Sequence, residues 1–70
     1  MKIKKFTLEQ LQTMPTIAVG QTDDLKFDNG VVRVWLSRMS IEDGAPYDNQ
    51  VTVERNVGGE WKIIKQFQAK

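Results

Sequence analysis

The chain contains no cysteine and no histidine. The first absence excludes disulfides, thiolate metal sites and thiol nucleophiles, and leaves a 70-residue chain without a covalent staple for its small core. The second removes the commonest metal ligand and the commonest neutral-pH general base, and serine-triad, zinc and haem chemistries fall with it. No apolar run approaches the roughly 18 residues of a membrane span, and the basic opening MKIKKF lacks the apolar core of a secretory signal. A cytoplasmic protein without membrane contact is therefore expected. Charge of one sign is not in excess either: ten Lys and Arg face nine Asp and Glu, for a net +1. That balance leaves no electrostatic footprint for nucleic acid. No cofactor is implied.

What is present is a globular composition, 40% apolar and 27% charged, with two kinds of periodicity. FTLEQLQTMPT carries a helix start, Thr7 as N-cap with Gln10 as its capping-box partner, followed by Leu8, Leu11 and Met14 at near-helical spacing. Pro15 ends the segment. After TIAVGQT, a short strand stopped by Gly20, the rest reads as β structure. Asn29-Gly30 signals a two-residue type I′ hairpin, which sets Phe27 opposite Val32 and Leu25 opposite Val34. Leu25, Phe27, Val32, Val34 and Leu36 then share one face, and Arg33, Trp35 and Met39 lie on the other. In the last hairpin a Gly58-Gly59 loop would place the apolar sets of the two strands on opposite faces. A three-residue loop, Gly58-Gly59-Glu60, pairs Val57 with Trp61 and Val51 with Phe67 and unites them. The expected fold is one α+β domain over 1–70: a short N-terminal helix followed by a four- to five-stranded antiparallel meander, or a small partly open barrel.

Four constellations bear on function. Glu42, Asp43 and Asp48 are acids in a long connection, but IEDGAPYDNQ lacks the ligand spacing of a calcium loop. Turn chemistry explains them, while Pro46 and Tyr47 at the tip suit recognition. Arg33, Arg38 and Arg55 could converge on a small anion, with Trp35 stacking a base; a solvated face of cross-strand pairs with Glu54 is the plainer account. VGQTDD has one glycine and no lysine, so it is not a phosphate loop. Lys2, Lys4 and Lys5 with Lys62, Lys65 and Lys70 form two basic strips that protect sheet edges as readily as they bind phosphate. Adjacent acid pairs such as Asp23-Asp24 and Glu42-Asp43 are poorly arranged for acid-base catalysis, so no enzymatic activity is expected.

AVGQTDDLKFDNG, VRVWLSRMSIEDGAPYDNQVTVE and GEWKIIKQF resemble small proteins carried by bacteriophages and related mobile elements. That resemblance implies a stand-alone accessory or inhibitor acting stoichiometrically on a host partner. The expected function is a non-enzymatic interaction protein, self-associating or binding another protein through Arg33, Trp35, Arg38, Met39, Glu42, Asp43, Pro46, Tyr47 and Asp48. The alternatives are an oligomeric binder of a small anionic ligand or nucleotide, and thirdly a nucleic-acid-binding sheet using Trp35, Trp61 and the terminal lysines.

Overall fold

The computed structural model describes residues 6–70; the expectation for Lys2, Lys4 and Lys5 lies outside them. Helix α1 (Leu8–Thr13) is followed by β1 (Ala18–Val19), β2 (Asp23–Asp28), β3 (Val32–Ser37), a single 3₁₀ turn at Ile41–Asp43, β4 (Gln50–Val57) and β5 (Glu60–Gln68). The strands form one sheet in the order β1-β2-β3-β4-β5, each neighbour antiparallel. The expected meander is thus present with five strands, and it is an open sheet with β1 and β5 at its edges. With one helix of six residues, the fold is mostly β.

Helix α1 starts as its sequence dictates: the Thr7 hydroxyl accepts from the Gln10 N–H at 3.1 Å, and the Gln10 side-chain carbonyl accepts from the Thr7 N–H at 2.9 Å. Two orphan donors are satisfied reciprocally. So short a helix is stable only when packed. Leu11 is fully buried in a cluster with Val32, Val34, Val51, Val53 and Ala69, ringed by Phe6, Leu8, Met14, Phe27, Leu36 and Phe67. The Leu8 N–H also donates to the Lys70 carbonyl at 3.1 Å, tying the helix start to the chain end.

Two irregularities decide which residues face this core. In the first hairpin the Asn29 side-chain oxygen accepts from the N–H of Val31 and of Val32 at 2.9 and 2.7 Å. Only Gly30, and not Asn29, has positive φ, so the connection is a wider side-chain-capped loop and not the expected type I′ turn. Its closing pair is Asp28 with Arg33, and Phe27 faces Val34 instead of Val32. The register then shifts past Lys26, setting Leu25 opposite Trp35 and not Val34. Because paired residues project from the same side, this bulge moves Leu25 off the helix-covered face. Leu25 is buried, yet it is outside the core cluster. Lys26 itself reaches the C-terminal end of α1, donating to the Met14 carbonyl at 3.2 Å and the Thr16 hydroxyl at 2.9 Å.

In the last hairpin the expected three-residue loop does not form, and the apolar residues of β5 are divided between the two faces of the sheet. The loop is the two-residue Gly58-Gly59 turn, both glycines at positive φ, pairing Val57 with Glu60 and Asn56 with Trp61. A register shift at Ile64 then restores Val51 opposite Phe67. The odd residue sits in the strand, not the loop. Phe67 consequently packs on the core while Trp61 lies on the opposite face.

Candidate functional site

The face turned away from α1 is where the structure gathers polar and aromatic side chains. Cross-strand pairing places Trp35 beside Thr52 and Arg33 beside Glu54 on adjacent strands, and Thr52 opposite Gln66, Glu54 opposite Ile63 and Asn56 opposite Trp61. All of these share one side of the sheet. The Trp35 indole N–H donates to the Glu54 carboxylate, and the Gln66 amide donates to the Thr52 hydroxyl at 3.3 Å.

Two segments rise beside this floor. The first is the β1–β2 turn, closed by the Gly20 N–H donating to the Asp23 carbonyl at 2.8 Å. Gly20 lies against the Trp35 ring so closely that a Cβ there would meet ring carbon Cζ3 at 3.3 Å. The second is the connection between β3 and β4. Between them opens a cleft of about 590 Å³ lined by Gly20–Asp23, Trp35, Ser37, Met39, Gly44–Pro46, Gln50, Thr52, Glu54, Ile63 and Gln66. Its chemistry is mixed, with one large ring, neutral amides and hydroxyls, and the carboxylates of Asp23 and Glu54.

Of the residues expected to form a site, Trp35, Met39 and Pro46 meet at this cleft. The arginines do not. Arg38 donates to the carbonyls of Gly20 and Gln21 at 2.7 and 2.8 Å and pairs with Asp24. It is a clamp on the β1–β2 turn, where a planar fork suits three acceptors better than an ammonium would. Arg33 stacks on Trp61, its guanidinium carbon 3.9 Å from the ring centroid, and pairs with Asp28 at 3.3 Å. Arg55 is opposite Val32 and so projects to the other side. Convergence of the three on one anion is therefore corrected, because alternation along the strands and prior pairing separate them.

Two of the three loop acids are occupied in shaping the loop. Asp43 accepts from the Ser40 N–H and hydroxyl at 3.0 and 3.1 Å, capping the 3₁₀ turn, and Asp48 accepts from the Ile41 N–H at 2.8 Å. Gly44 closes the turn at φ 98°. Glu42 is exposed, and Tyr47 borders a second concavity with Phe6, Thr7, Phe67 and Lys70, which shares Gln66 with the cleft. Among the described residues no group of three or more His, Cys, Asp or Glu is placed to hold a metal ion, and no helix is long and apolar enough to cross a membrane.

Glu54, Thr52, Gln50 and Gln66 were missed as site residues. The signal available was alternation: once Trp35 is assigned to one face, its cross-strand neighbours on β4 and theirs on β5 follow, provided the shift at Ile64 is known. No protein-family model, no curated protein and no solved structure matches the chain.

Proposed function

We propose that the chain is a non-enzymatic binding module whose recognition surface is the Trp35 cleft, engaging a partner protein. One observation carries this reading. The 20–23 turn, the 44–46 loop and a floor drawn from β3, β4 and β5 converge on one open, mixed polar and aromatic cleft. Concave surfaces with an aromatic floor and a few placed polar groups are the usual form of binding sites. Both rims are held in place by their own hydrogen bonds, Arg38 on one side and Asp43 with Asp48 on the other. Such preorganisation lowers the ordering cost of association. The origin suggested by the phage-like resemblance, an accessory protein acting stoichiometrically on a host partner, agrees with a domain that presents a surface and little else.

The test is a fragment screen on ¹⁵N-labelled protein. Amide shifts concentrated at residues 20–23, 35–39 and 44–45, and abolished in Trp35→Ala, are the expected result. Perturbations confined to the concavity beside Tyr47 and Phe67, or scattered without a focus, would refute the assignment.

A further inference from the structure

We propose that Asn29-Gly30 is a latent modification site: a pair set for spontaneous deamidation through a succinimide ring, held closed by the folded loop and released when the end of the β2–β3 hairpin opens. The site lies outside the cleft lining and does not depend on what the cleft binds. In an Asn-Gly pair no side chain crowds the backbone nitrogen that must attack. The chain has one such pair, since Asn49 and Asn56 precede Gln50 and Val57. Asp28, Asn29 and Gly30 are exposed, and a Cβ on Gly30 would meet nothing within 4 Å. Burial therefore gives the pair no protection, and its hydrogen bonds must supply it.

In the reaction the Gly30 nitrogen gives up its proton and attacks Cγ of Asn29. An N–Cγ bond forms, the bond from Cγ to Nδ2 breaks, and Nδ2 leaves as ammonia carrying that proton. Water then opens the ring at either carbonyl, leaving aspartate or isoaspartate. One water is consumed and one ammonia released, and the new carboxylate cancels the formal charge of +1.

Both reacting groups are tethered. The Gly30 N–H donates to Oδ1 of Asp28 at 2.9 Å, so ionising it would set an amide anion against a carboxylate. Asp28 is fixed in turn: its Oδ2 pairs with Arg33 at 3.3 Å, and the two residues close the hairpin ladder. Oδ1 of Asn29 accepts from the N–H groups of Val31 and Val32, which restrains the rotation that would bring Cγ onto the Gly30 nitrogen. Those two donors also polarise the Asn29 carbonyl toward attack. Asp28 is thus the group that holds the pair back while the loop is closed. An aspartate at position 29 keeps an acceptor for the same two N–H groups, whereas isoaspartate lengthens the main chain between the closing residues. The products record, in charge and in shape, which molecules have opened at this hairpin.

The experiment incubates the whole chain in mildly alkaline buffer, with and without urea, and follows the reaction by peptide mapping and released ammonia. Deamidation is expected at Asn29 ahead of Asn49 and Asn56, and about tenfold or more slower in buffer than in urea, as for a reaction that needs local opening. Asp28→Ala and, as a second replacement, Asp28→Val should each raise the rate in buffer severalfold and change the rate in urea little. Arg33→Ala, which leaves the Gly30 contact in place, should raise it less. Thermal melts check that each variant is folded. Equal rates in buffer and urea would overturn the proposal, and so would a faster reaction in the folded chain. Folded Asp28 variants that react no faster than the parent would overturn it as well.

Discussion

The guanidinium carbon of Arg33 on β3 lies 3.9 Å from the ring centroid of Trp61 on β5, spanning β4 between them. The pair links strands that share no backbone hydrogen bonds. A double-mutant cycle with Arg33→Ala and Trp61→Ala should give a coupling of about 0.5–1 kcal/mol by urea denaturation, the range for a partly exposed cation-π contact. Additive losses would mean that the stack contributes nothing beyond burial.

Leu11 is the residue through which the helix grips the sheet, and it is wholly buried. Leu11→Ala should cost about 2–5 kcal/mol, a large fraction of the roughly 4–10 kcal/mol expected for a domain of this size. Circular dichroism should show a melting midpoint lowered by about 10 °C or more. A shift of only a degree or two would mean that α1 does not close the core.

The Gly20 approach to Trp35 leaves little room for a side chain, with the Asp23 carbonyl oxygen 3.2 Å and the Trp35 ring 3.3 Å from a Cβ. Gly20→Val should push the ring outward, altering tryptophan fluorescence and destabilising by about 1–3 kcal/mol, the range for overpacking. Trp61→Phe in the same background assigns the emission change to Trp35. Unaltered emission would show that the turn yields instead of the ring.

At the Gly58-Gly59 turn a Cβ meets nothing within 4 Å at either position, while φ is 61° and 88°. Any cost of substitution is therefore conformational. Gly58→Asn should be neutral or slightly stabilising, since Asn tolerates the left-handed region and Asn-Gly favours this turn. Gly59→Val should cost about 1–2 kcal/mol. Chemical denaturation of the two variants provides the comparison, and equal losses would contradict it.

Asp48 joins the 3₁₀ turn to the start of β4 by accepting from the Ile41 N–H. Asp48→Ala should speed amide exchange at Ile41 and Gly44 while moving the global stability by no more than about 1–2 kcal/mol. Exchange slowed or unchanged at these amides would show that the acid does not hold the loop.

Local chemistry was readable where one residue type does one job. The Thr7 and Gln10 capping box, the stop at Pro15, the Gly20 strand end and the turn-forming acids of IEDGAPYDNQ all followed from short-range rules. Pairing was readable only up to the first extra residue. Nothing in Leu25-Lys26-Phe27 or in Ile63-Ile64-Lys65 marks the register shifts there, because a bulge is selected by the whole sheet's need to bury both sets of apolar residues. For the last hairpin that need was evident as a parity conflict between Val57, Trp61 and Phe67, but parity does not say where the odd residue goes. The site suffered in the same way: Arg33, Arg38 and Arg55 fall on neighbouring strands, but the register turns Arg55 to the other face and Trp61, Gly20 and Asp24, which only the folded chain brings near, engage the other two.

The extra residue at Ile64 is the one place in β5 where the chain can change length without changing its message. Deleting it would close the bulge into a regular ladder, with Glu54 still opposite Ile63, Val53 opposite Lys65 and Val51 opposite Phe67, so that every side chain keeps its side of the sheet. Divergent copies of this chain should thus accept a one-residue deletion at that point with the Gly58-Gly59 turn unaltered, whereas a further inserted residue would leave the ladder a second unpaired position to place.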